Sequence, residues 1–170
     1  DLDEVTAGQT PKVFCLACAR KRVTGQVATD WYDKRLSWQP TGVTSWGAKF
    51  LRHYAARDSR WSGATAAKEL GEIGEASKPE GYVGLVYADG NNVGALVSQL
   101  ATPSAYRQFG KRLAAVCQEA VFAALDANLD PHCLRSPEDP RRVGLAILPF
   151  EILTIGGDDL SLIVPAHKAL

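Results

Sequence analysis

Residues 143–165 read "VGLAILPFEILTIGGDDLSLIVP", and two apolar, β-rich runs separated by Gly156, Gly157, Asp158 and Asp159 fold most readily as an antiparallel hairpin with those four residues at its tip. Pro149 inside the first run marks an edge or a bulge, because proline has no N–H to donate to a ladder. A turn uses the glycines; it has no need of two adjacent carboxylates. Asp158 and Asp159 are therefore the residues that ask for a chemical account.

A second β-like run, "GYVGLVYAD", ends at Asp89 and is followed by the turn "GNNVG". Thr102 and Pro103 have the form of an N-cap and first helical residue, and Tyr106, Phe109, Leu113, Val116, Ala120 and Ala124 follow at spacings of three and four, which predicts a long helix with that face buried. "DPHCLRSPEDPRR" at 130–142 reads as loop. Strand, helix, strand, strand, with a further helix opening at Pro165, is the first part of a ferredoxin-like βαββαβ unit. The fold class expected is α+β, and the topology would set the first strand beside the hairpin, with Asp89 facing the tip.

Upstream, "GEASKPEGYVG" gathers Gly, Pro and Ser, so a boundary is placed near residue 80: a loop-rich and helical segment over 1–80 and a second domain over 81–170. Within the first, Trp46, Phe50, His53, Tyr54 and Arg57 have helical spacing behind Thr44 or Ser45 as N-cap, and Ala64, Ala67, Leu70 and Ile73 suggest another helical face.

Lys and Arg together number 19, as do Asp and Glu, so no global field draws the chain to nucleic acid or an anionic membrane. No apolar run reaches the ~20 residues that span a bilayer, and "DLDEVTAGQT" lacks the features of a signal peptide. Four cysteines are too few for a disulfide scaffold. These features fit a soluble, cytoplasmic protein. The absence of methionine and the ending "PAHKAL" suggest a piece of a longer chain.

Three carboxylates brought together, Asp89, Asp158 and Asp159, would repel one another unless a cation compensates them. Mg²⁺, or Mn²⁺ in its place, suits one or two carboxylates supplemented by water and substrate phosphates. Gly90, Asn91, Asn92 and Gly94 in the turn would let a triphosphate approach the backbone, while Gly156 and Gly157 leave room for a base or sugar. Lys168 is the visible cation that could grip the triphosphate, or equally a solvated residue on a first helical turn. Taken singly, Asp-Gly and Gly-Gly are ordinary turn formers; the weight lies in their juxtaposition.

"YVGLVYADGNNVG" together with "LPFEILTIGGDDLSLIVPAHKAL" resembles the GGDD palm domain of the large subunit of type III CRISPR effector complexes, related to GGDEF cyclases and the minimal CRISPR polymerases. The resemblance covers roughly residues 80–170 and implies antiviral defence by a nucleotidyltransferase that converts ATP into cyclic oligoadenylate, releasing pyrophosphate. It makes Asp89, Asp158 and Asp159 the metal ligands, with Asp158 and Asp159 catalytic. Its implied partners are a second palm, the other effector subunits and RNA; no membrane is implied. Asn91 stands where many relatives have a second acid. Asp159-Leu160 replaces the Glu-Phe of diguanylate cyclases, which disfavours a GTP-derived dinucleotide. The alternatives are a non-catalytic module that binds nucleotide or RNA within a ribonucleoprotein, and a diguanylate-cyclase-like enzyme.

"CLAC" supplies Cys15 and Cys18 at the spacing of one zinc knuckle. It is half a site, and the resembling family often carries two knuckles ahead of its palm. His132 and Cys133 offer another completion, whereas Cys117 has the position of a small buried residue. All four tryptophans lie between residues 31 and 61 among Lys and Arg. That pattern suits a helix with a buried aromatic face and a solvated basic one, and also single-stranded nucleic acid or a docking subunit.

Overall fold

The structure, a computed structural model, describes residues 44–54, 57 and 59–169. Cys15 and Cys18, and with them the zinc knuckle, lie outside the described residues. The chain forms two compact units, Asp1–Lys49 and Phe50–Leu170. The Gly/Pro-rich stretch around residue 80 thus lies inside the second unit.

In chain order the elements are α1 (Trp46–Tyr54), β1 (Thr65–Ala66), α2 (Leu70–Glu75), β2 (Val83–Ala88), α3 (Val93–Ser98), α4 (Pro103–Asn128), β3 (His132–Cys133), β4 (Ala146–Leu148), β5 (Glu151–Gly156) and β6 (Asp159–Pro165). The class is α+β. No described helix is long and apolar enough to cross a membrane.

At the start of α1, Ser45 Oγ accepts the Ala48 N–H at 3.0 Å, so Ser45 rather than Thr44 supplies the cap. Lys49 Nζ lies 3.9 Å from the centre of the Trp46 ring, a cation–π contact. In the second unit, Phe50 is fully buried. Its ring meets Trp61, Phe150 and Phe122 edge-on at centroid distances of 5.0, 5.0 and 5.4 Å, the arrangement that the aromatic quadrupole favours. Trp61 Nε1 donates to Asp126 Oδ1 at 2.6 Å, which satisfies the indole and ties this cluster to α4. Trp61 is therefore a core residue, as the reading of a buried aromatic face anticipates.

The run 143–155 does not form one strand. It breaks at the buried Pro149 and Phe150, and its two parts join different sheets. In the first sheet, β4 pairs in parallel with β1 and antiparallel with β3. In the second, the order is β2–β6–β5 and all pairs are antiparallel. Residues 63–69 are not helical either, since Thr65 and Ala66 pair with Ile147 and Leu148. The loop 130–142 contributes the two-residue β3.

Helix α4 begins as expected, with Thr102 Oγ1 accepting the Ala105 N–H at 3.1 Å and Pro103 as the first helical residue. Its buried face is not the expected one. Only Val121, Phe122 and Leu125 are buried, while Tyr106 and Val116 are 58% and 63% exposed. A helix of 26 residues is about 39 Å long, whereas strands of six or seven residues span roughly 20–23 Å. The sheet is too short to cover the helix's first half.

Charged side chains knit the first sheet to α2. Buried Arg142 donates to Glu72 through Nη2 at 2.9 Å and to the Ala66 carbonyl at 3.1 Å, and Glu72 also accepts the Lys68 N–H. Glu75 accepts from the backbone N–H groups of Arg135 and Ser136, and its Oε1 lies 3.0 Å from His132 Nε2. Burial alone would raise the Glu75 pKa, but those backbone donors, with the His132 and Arg135 side chains, outweigh it and hold the carboxyl at about 2. A carboxyl depressed in the folded state stabilises it above the unfolded value, and that contribution is lost as pH falls through the folded one. Urea midpoints measured from pH 6 down to pH 2.5 should thus fall more steeply for the wild type than for Glu75→Gln, and parallel curves would contradict this role.

Candidate functional site

The tip of the β5–β6 hairpin is a two-residue turn. Gly156 pairs with Asp159, Gly157 has φ +73°, and Asp158 is not among the residues with positive φ, the pattern of a type II′ turn. Gly157 is thus required by the backbone. At Gly156 an added Cβ would have an ordinary contact with Thr154 Oγ1 at 3.4 Å.

The register of the second sheet then delivers the third acid. Six consecutive pairs run from Val83↔Pro165 to Ala88↔Leu160, so Asp89, one residue past the end of β2, comes level with Asp159. Gly90 makes close approach possible. A Cβ built there would lie 2.7 Å from Asp158 Cβ, 2.9 Å from Val93 Cγ2 and 3.3 Å from Asp158 Oδ2, so the half-buried Asp158 rests in the space that glycine vacates. Asp89 and Asp159 are exposed.

Tyr87, which the sequence reading did not single out, belongs to this group. Its hydroxyl donates to Asp159 Oδ1 at 3.3 Å, and its pKa is raised by the charge of Asp159 first, then by Asp89 and burial, with Asp158 adding to the effect. The phenol thus registers the field of all three carboxylates at once. A tyrosine in an apolar strand reads as packing; only the register shows that it points along the sheet to the tip.

The three acids have no Lys or Arg partner among the described residues. Nor do any three His, Cys, Asp or Glu side chains among those residues form a ready-made metal cage. The donor set matches a cation that uses one or two carboxylates and completes its shell with water and phosphate oxygens.

The other expected residues are placed less uniformly. Asn91 and Asn92 form the turn beside the tip, Asn92 with φ 65°, and both are exposed. Gly94, the second residue of the six-residue α3, faces open space, so no neighbouring atom demands a glycine there. Lys168 is not brought to the site. It follows β6 at the end away from the tip, and seven strand residues separate the two by roughly 23 Å. Its neighbours are instead apolar: with Val86, Val121, Leu125, Leu160 and Leu162 it lines a cavity of about 360 Å³ between α4 and the sheet.

The two residues offered as further zinc ligands both have partners within the second unit, while Cys15 and Cys18 lie outside the described residues. His132 is engaged by Glu75, and Cys133 Sγ donates to the Gly144 carbonyl. Cys117 is half-buried on α4.

No protein-family model, curated protein or solved structure matches the chain.

Two substitutions separate the glycines by role. Gly90→Ala forces Asp158 and Val93 apart and should cost roughly 1–3 kcal/mol, the usual price of overpacking, whereas Gly94→Ala should lie within about 1 kcal/mol of wild type, in the stabilising direction. Urea denaturation of both variants checks this, and equal midpoints would show that Gly90 is not tightly enclosed.

Proposed function

We propose that residues 81–170 form a metal-dependent nucleotidyltransferase or cyclase domain that acts on a nucleoside triphosphate, with ATP as substrate and cyclic oligoadenylate as product by its resemblance to the type III CRISPR palm. The observation that supports it is the meeting of Asp158 with Gly90 at the end of β2, which gathers Asp89, Asp158 and Asp159 around Tyr87 with no cationic partner among the described residues. The order β2–β6–β5 with helix α4 between β2 and β5 agrees with the opening βαββ of a ferredoxin-like palm. A fold of this kind hosts unrelated functions, so the reading rests on the acids.

In this reading Asp89, Asp158 and Asp159 hold Mg²⁺ or Mn²⁺, which supplies charge neutralisation for the triphosphate and for the α-phosphate as it is attacked. The chain's own contribution is position. Gly157 fixes the turn, Gly90 admits Asp158, and Asn91 and Asn92 border the same opening. A ribose hydroxyl releases its proton to solvent as its oxygen forms the new bond to the α-phosphate, the bond from that phosphorus to the bridging oxygen breaks, and pyrophosphate leaves. A second nucleotide must supply the hydroxyl, which the resemblance assigns to a second palm. Zn²⁺ at Cys15 and Cys18 belongs to the same reading, as do effector subunits and RNA as partners.

Incubation with ATP or GTP and Mn²⁺, with products resolved by mass spectrometry, tests the proposal. Oligoadenylates from the wild type and none from the Asp158→Ala, Asp159→Ala variant are expected. RNA or nucleotide binding indifferent to that double change, with no product, would favour the non-catalytic module, and a guanylate product would favour the diguanylate-cyclase-like enzyme.

A further inference from the structure

Tyr87 is a large aromatic residue that the fold does not use for packing. It is 65% exposed, and it projects from the face of β2 opposite Val86, the residue that lines the cavity under α4. Its directly paired residue is the small Ser161, which leaves the ring free to lean along the sheet. Asp159 is two residues before Ser161, the diagonal neighbour of Tyr87, and diagonal neighbours are within reach of aromatic side chains. The hydroxyl meets Asp159 Oδ1 at 3.3 Å.

A phenol is a particular choice of partner for such an acid. Lys or Arg in its place would form an ion pair and cancel the charge that a cation needs, whereas a neutral O–H fixes the carboxylate's rotation and leaves its charge intact. Asp159 is exposed at the tip of a hairpin, and the Tyr87 hydroxyl is a hydrogen-bond donor to its carboxylate. Groups of this kind behind metal-binding carboxylates orient them, and their loss typically weakens metal affinity or activity about 10–100-fold.

We propose that Tyr87 is a positioning residue for a divalent-cation site, holding the Asp159 carboxylate in its binding orientation through the hydroxyl. This inference rests on the reading of Asp89, Asp158 and Asp159 as cation ligands. It assigns Tyr87 no contact with substrate or reacting atoms.

Calorimetric titration of the whole chain with Mn²⁺ alone tests it, using wild type, Tyr87→Phe, Asp159→Ala and the double variant. Tyr87→Phe keeps the ring and removes only the hydroxyl, so its thermal midpoint should match wild type while its Mn²⁺ affinity falls about tenfold or more. In the Asp159→Ala background, where Asp89 and Asp158 remain, Tyr87→Phe should cause no further loss. Unchanged Mn²⁺ affinity in Tyr87→Phe, alongside a clear loss in Asp159→Ala, would overturn the role of Tyr87 and leave the cation site standing. The same loss in both backgrounds would overturn it too, because the hydroxyl would then act elsewhere. A wild type that takes up no Mn²⁺ would overturn the cation site itself and this inference with it.

Discussion

The pairing of β2 with β6 is the constraint on which the rest of the second unit depends. It carries six consecutive residue pairs, and because side chains alternate across a strand, a slip of one residue would turn every one of them to the opposite face. In the observed register Val86, Leu162 and Val164 face α4, Ile163 packs against the cluster of Ala67, Ile73, Leu134 and Ile147, and Asp89 ends level with the hairpin tip. Gly84 belongs to the same fit, since a Cβ there would collide with Ala169. Burial on both faces therefore fixes the position of the acids, although the acids themselves contribute nothing to the core.

Elsewhere the unit matches its buried acids with cations. Glu72 faces Arg142 and Glu75 faces Arg135, and the half-buried Asp126 likewise faces Arg60. Where two acids adjoin, as Glu69 and Glu138 do, hydrogen bonding to Glu138 raises the Glu69 pKa, with burial and the neighbouring carboxylates adding to it and Lys68 opposing them. The three aspartates at the tip stand apart from both patterns. Asp159 has a neutral tyrosine as hydrogen-bond donor, Asp89 and Asp159 are exposed, and Asp158 is half-buried against Gly90.

The features legible in the sequence were those set by local chemistry. The hairpin followed from glycines between two β-rich runs, and the start of α4 from Thr102 and Pro103. The break at Pro149 was visible as an irregularity, but not that β4 and β5 would enter different sheets, because that depends on β1 and β3, whose two residues each carry almost no pattern. The expected apolar face of α4 failed for a related reason: periodicity shows which residues could be buried, not how far the sheet extends to cover them. Lys168 shares the acids' segment in sequence yet lies a strand's length from the tip. Tyr87 escaped notice because an aromatic residue in a strand looks like core until its cross-strand neighbours are known.

The central claim, that the hairpin tip and the end of β2 form one cation site, is tested most directly by Mn²⁺ paramagnetic broadening in the NMR spectrum of the whole chain. Selective loss of the amide resonances of residues 88–91 and 157–160 is expected at low Mn²⁺, with those around Glu69 and Glu138 retained. Broadening centred on the glutamates, or none at the tip, would contradict it.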